Sequence, residues 1–263
     1  LEKREQIPQI LFWKWDDSHL INKDYLSKID DICNRSGFSH VFIGTAWCTK
    51  TLESQEVKSA IKEVVERAHA RHRKIIFEID VRPCRKKFLQ QYPNANTGMI
   101  FSLEGKVSEE DQLTLTCTYD ETADQFGVLR FQSAELLKVY AFQMLDAHSY
   151  DKNSLKDVTH LCNLQQNGKN VTVTLNSAGS GLRQGMSVFA ITVAWYEFPD
   201  PASSEVWNYT EKLFEMYSDL PLDGIGLDEW GYFPHSRDGG RFYFDEAWKS
   251  PWYSRALAQV YFE

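Results

Sequence analysis

The chain has no run of eighteen or more apolar residues, so no membrane-spanning helix is expected. Its five cysteines (Cys33, Cys48, Cys84, Cys117 and Cys162) show no CxxC and no Cys/His spacing of the kind that holds zinc. Positive charge is also scarce: 29 Lys and Arg stand against 37 Asp and Glu, a net charge of −8. A nucleic-acid binder needs a basic surface to displace counterions, so the charge argues against that class. The one basic cluster, Arg82-Pro83-Cys84-Arg85-Lys86-Lys87, is short and interrupted and reads as a solvated helix start. GxSxG, the P-loop, the dinucleotide fingerprint and HExxH are all missing, which removes the common serine-hydrolase, nucleotide-binding and zinc-protease readings. Cys48 has no histidine at a telling spacing, which argues against thiol catalysis.

What is present describes a globular protein with ample core: 263 residues, 43% hydrophobic and 25% charged, enough for one large domain or two. Aromatics make up 14%, with eight Trp, a mild lean toward sugar binding because flat rings stack on pyranose C–H faces. Three sequons occur, at Asn34, Asn170 and Asn208. Leu1-Glu2-Lys3-Arg4 has the dibasic form of a yeast secretion-leader remnant and is set aside. Together these point to a secreted, glycosylated protein. In that compartment one or two disulfides could form, leaving at least one thiol over, with the pairing open.

Residues 5–98 alternate strand and helix. Apolar runs at Ile10–Trp15, His40–Gly44 and Lys74–Pro83 read as strands. Helix-spaced apolar residues at 23–35 and 54–70 separate them. From about 99 to 197 the helical period vanishes and short alternating stretches follow one another, which reads as an inserted β-sandwich. Residues 198–263 resume the α/β pattern, with a helix at 204–219 and a fourth strand at 223–228. The expected fold is therefore α/β: a partial TIM-barrel-like frame with an inserted antiparallel β-sandwich. A full barrel takes ~250 residues, and the α/β part here is far shorter. An open sheet or two paired half-barrels would also fit. The preferred expectation is that the remainder of the barrel comes from a longer or second chain.

The fourth strand ends in Leu227-Asp228-Glu229-Trp230-Gly231. Adjacent carboxylates beside an indole at a strand's C-terminal end suit glycoside chemistry, where one carboxyl protonates the leaving oxygen and a second acts as nucleophile or base. Alternation places Glu78, Asp80 and Arg82 of the third strand on the same side as Asp228, away from the helices. Glu229 is the candidate acid/base, Asp228 and Asp80 its partner carboxylates, and Arg82 their orienter. Lys14 is a plausible partner for Glu78. Trp15, Trp47 and Trp230 are candidate sugar platforms, with core packing as the competing reading for each. No cofactor is implied, since two carboxylates suffice.

Four stretches carry a wider likeness: Asp80-Val81-Arg82-Pro83 with Phe88–Pro93, the inserted sandwich, Leu227–Gly231, and Trp252-Tyr253-Ser254 with its helix. On these the chain resembles a group of poorly characterised glycoside-hydrolase-like proteins over nearly its whole length. The resemblance implies that the barrel continues beyond the last of these segments. A Glu after the fourth strand is similar in position to the acid/base of the large retaining glycosidase clan, but Asp228-Glu229 stands where that clan has Asn-Glu. The expected function is hydrolysis of a glycan or glycoside. The alternative is a non-catalytic secreted carbohydrate-binding or interaction protein.

Overall fold

Lys74–Glu78 and the two strands before it are nearly continuous apolar runs (residues 10–13, 41–43 and 75–77), and the facing helices are apolar at three- and four-residue steps. That combination builds a parallel sheet packed against helices. The computed structural model describes residues 9–110, 112–119, 121–124, 127–227 and 252–262. The chain opens with β1 (Ile10–Asp16), α1 (Asp17–Leu20), α2 (Tyr25–Cys33), β2 (His40–Trp47), α3 (Gln55–His69), β3 (Lys74–Glu78) and α4 (Arg85–Gln91). There follow β4 (Asn96–Lys106), β5 (Gln112–Thr118), β6 (Thr122–Asp124), β7 (Gly127–Leu129), β8 (Phe131–Phe142) and β9 (Lys156–Asp157). Next come β10 (Cys162–Asn167), β11 (Asn170–Asn176), β12 (Ser187–Pro199), α5 (Ser204–Tyr217) and β13 (Gly224–Gly226), and then β14 (Trp252–Tyr253) and α6 (Arg255–Phe262). Contacts divide the chain into two units, with boundaries at Ala95/Asn96 and Phe198/Pro199.

The first unit holds a parallel sheet in the order β1-β2-β3-β13. Spatial order follows chain order, and right-handed crossovers in one direction put every connecting helix on the same face. The core reflects this. Trp13, Trp15, Val41, Ile43, Ile75, Phe77 and Ile79 pack with Ile29 of α2, Ile61 and Val64 of α3, and Leu213 and Tyr217 of α5. Fully burying a side chain such as Phe77 contributes about 1.5–3 kcal/mol. Ser54 and Ser203 cap α3 and α5, each hydroxyl accepting the N–H two residues on.

The second unit is antiparallel. A five-stranded sheet, β14-β4-β12-β8-β9, and a three-stranded sheet, β10-β11-β5, share buried clusters. Val139 and Ala141 of β8 and Val188 and Ala190 of β12 meet Leu115 of β5 and Val173 and Leu175 of β11. Thr172 and Thr174 alternate with those β11 residues on the other face.

Two expectations are corrected. The described residues form no barrel: their four parallel strands make an open sheet whose edges are β1 and β13. Strand–helix alternation is common to open sheets and barrels, so the pattern carries no information about closure. Residues 252–262, assigned from the sequence to the α/β portion, join the second unit. Trp252 pairs with Met99, and the Arg255 guanidinium stacks 3.3 Å above the Trp195 ring while donating to Asn96 Oδ1 at 2.9 Å. Residues 1–4, the presumed leader remnant, lie outside the described residues.

Candidate functional site

Ligands of parallel α/β sheets sit beyond the carboxyl ends of the strands, and at that end of this sheet the first unit concentrates buried charge. On the face away from the helices, Lys14 of β1 sends Nζ to Glu78 Oε2 of β3 at 3.1 Å. The register places Gly44 of β2 between them, beside Lys14. A Cβ at Gly44 would stand 2.1 Å from Glu78 Oε2 and 2.9 Å from Lys14 Nζ, so only glycine leaves room for this contact. Gly226 plays the same part on β13, where a Cβ would lie 2.2 Å from the Phe42 ring.

Beyond Glu78 the chain leaves the sheet earlier than the sequence suggested. Ile79 N–H still reaches Gly226 O, but Asp80 then folds the backbone back by accepting the Arg82 N–H at 2.8 Å. Such an Asx turn competes with continued extension, and Pro83 lies in the short 3₁₀ turn that follows. Asp80 and Arg82 are therefore on a turn, not on the strand. Arg82 Nε donates to Asp80 Oδ2 at 2.7 Å, and both residues are buried. Burial raises the Asp80 pKa above the ordinary carboxylate value, opposed by the Arg82 charge and hydrogen bonds and by the charge of Lys14. The basic cluster is also not a simple solvated face, because Arg82 and Arg85 are both buried while Lys86 and Lys87 are exposed.

The tryptophans separate. Trp15 is fully buried, stacked on Tyr25 at 5.5 Å and packed against Trp13, so it offers no face to a ligand and is corrected to a core residue. It shares the helix-side face with Trp13, opposite Lys14. Trp47 ends β2 and is 52% exposed. The register steps by two on β1 (Lys14 to Asp16) but by three on β2 (Gly44 to Trp47). This bulge leaves Thr45 buried and Trp47 facing out.

Asp228, Glu229 and Trp230 lie outside the described residues. The strand that leads to them in sequence is described: β13 runs parallel to β3, with Gly226 beside Glu78. Its start is fastened by Asp223. That carboxylate accepts the Ile75 N–H at 2.8 Å and contacts His69 Nε2 at 2.7 Å.

No disulfide joins the five cysteines. Cys48 and Cys84 are buried, and burial pushes each thiol up to about 12, the wrong direction for a nucleophile. Among the described residues no group of three His, Cys, Asp or Glu is placed to hold a metal, and no helix is long and apolar enough to cross a membrane. The three sequon asparagines are exposed. Asn34 follows α2, Asn208 lies on α5, and Asn170 opens β11, where its Oδ1 accepts from Thr118 Oγ1 at 2.7 Å.

Sequence reasoning placed Arg85 on a solvated helix start, although a signal for its burial exists. It stands three and four residues before Phe88 and Leu89, on the buried face of α4. No family model matches the chain, and no curated protein matches it.

Proposed function

We propose that this protein is an extracellular glycoside hydrolase. Glu229 acts as acid/base, Asp228 and Asp80 are its partner carboxylates, and Arg82 positions Asp80. The observation that carries the reading is the convergence at one end of the parallel sheet. Glu78, Asp80 and Arg82 are buried there, and β13, paired beside Glu78, runs in sequence directly into Asp228-Glu229. Glycoside cleavage needs one carboxyl to protonate the leaving oxygen and a second close by as nucleophile or base, and a cluster of carboxyls at one sheet end supplies such a pair. Trp47, exposed at the end of β2, is the described aromatic best placed to stack on a sugar. Extracellular location rests on the three exposed sequons.

A second reading has an observation of its own. Asp80 and Arg82 are buried against each other, as in a structural ion pair, which favours a carbohydrate-binding protein without turnover. Glu229→Gln decides between the two. Under the hydrolase reading it removes turnover of oligosaccharides and aryl glycosides by ~100-fold or more at an unchanged thermal midpoint. No turnover by the wild-type chain, with sugar affinity surviving the substitution, would establish the binding reading.

A further inference from the structure

We propose that the second unit carries an oligosaccharide-binding groove of its own on the outer face of its five-stranded sheet. This inference does not rest on the hydrolytic reading, because the groove would hold sugar whether or not Glu229 cleaves it.

The groove is a cleft of about 820 Å³ across β4, β12 and β8, lined among others by Glu104, Lys106, Phe142, His148, Tyr150 and Phe189. That size falls within the ~300–1,000 Å³ range of small-ligand clefts. Alternation explains the lining. Val188 and Ala190 of β12 point into the sandwich core, so Ser187 and Phe189 face out, and Phe142 of β8 pairs opposite Ser187. The Phe142 and Tyr150 rings lie 5.2 Å apart at 55°, and Tyr150 is 42% exposed, leaving aromatic surface open to a ligand.

One wall is built before any ligand arrives. Met144 and Tyr150 pair across the base of the loop, and Leu145 N–H donates to Ser149 O at 2.9 Å. Asp146 accepts the His148 N–H at 2.7 Å and the Ser149 hydroxyl at 2.6 Å. These bonds hold the loop in one shape and lower the entropic cost of binding.

The lining selects the occupant. Two carboxylates, Glu104 and Asp146, stand against one fixed cation, Lys106, so a strong anion is not favoured. A purely aliphatic ligand would strip water from those charges without replacing their hydrogen bonds. A peptide cannot add as a strand to β12, which is already paired on both sides, to β4 and β8. A neutral oligosaccharide satisfies both surfaces, with C–H faces on the aromatic rings and hydroxyls on the Glu104, Lys106 and His148 groups.

The test titrates the full chain by calorimetry with cellohexaose, xylohexaose, laminarihexaose, mannohexaose and chitohexaose. At least one hexaose is expected to bind. Tyr150→Ala and Glu104→Gln should each weaken it ten-fold or more at an unchanged thermal midpoint, while hydrolysis of a small aryl glycoside, if present, is unaffected. Absence of binding by every hexaose overturns the groove, as does binding indifferent to both substitutions. Neither outcome bears on Glu229, whose reading stands or falls on turnover alone.

Discussion

Lys14 and Glu78 belong to strands that are not neighbours, yet they meet at 3.1 Å by passing over Gly44 of the strand between them. The pair exists because the intervening residue has no side chain. Gly44→Ala would drive a methyl into the Glu78 carboxylate, and the expected loss is about 1–3 kcal/mol by overpacking. Removing Lys14 instead, as Lys14→Met, takes away a cation beside a buried carboxylate, at a cost of about 3 kcal/mol. Chemical denaturation of both variants measures the two losses. An unchanged midpoint in Gly44→Ala would mean the pair rearranges freely and is no fixed feature of the site.

Arg82 is bound to Asp80 both through its backbone N–H and through Nε. Arg82→Ala leaves Asp80 buried without its main counter-charge and should cost about 3–5 kcal/mol. Lysine has no Nε–H fork, so Arg82→Lys should recover only part of the loss. Full recovery of the unfolding midpoint by lysine would show that charge alone matters at this position.

Asp223 predicts a pH dependence. Its burial raises the carboxyl pKa, but the His69 hydrogen bond, the Ile75 N–H and the charges of His69 and Lys74 outweigh this and hold it below the ordinary value. A carboxylate depressed in the folded state contributes stability above its unfolded pKa of about 3.9 and loses it as pH falls further, through the folded value. Because the side chain is partly exposed (24%), the contribution is about 1 kcal/mol or less. Asp223→Asn should therefore melt lower than wild type at pH 7, and the gap should begin to narrow as pH falls below ~4. A gap that does not narrow at all as pH falls below about 4 in thermal melts would contradict this account.

The two described tryptophans of the candidate site should behave oppositely. Trp15→Ala empties a fully buried position and is expected to cost about 3–5 kcal/mol. Trp47→Ala, at an exposed strand end, should change stability by ~0.5 kcal/mol or less and reduce sugar affinity. Equal destabilisation in the two would mean that Trp47 is also packed.

Cys48 and Cys84 should resist iodoacetamide at pH 8 in the native protein, since burial pushes both thiols up to about 12. All five thiols should react in denaturant, as no disulfide links them. Mass spectrometry after alkylation counts them. Fewer than five labels in the unfolded, unreduced chain would reveal a disulfide.

Local patterning alone determined where the main helices and strands of this protein begin. The three- and four-residue steps of Val57, Ile61, Val64 and Val65 are enough for α3, and the alternation of Val171, Val173 and Leu175 is enough for β11, because each reports which face is apolar. It also determined that Lys14 and Glu78 face away from Ile43 and Phe77. Closure was decided only in three dimensions. Open sheets and barrels share one βα alternation, and the difference lies in which strands find partners, a relation between distant residues that no local period encodes. The same holds for the site. Asp80 turns the chain by bonding the Arg82 N–H, a bulge turns Trp47 outward, and Trp15 disappears into the core. Each outcome depends on competition between hydrogen bonding and burial, settled by neighbours that are remote in the sequence and adjacent in the fold.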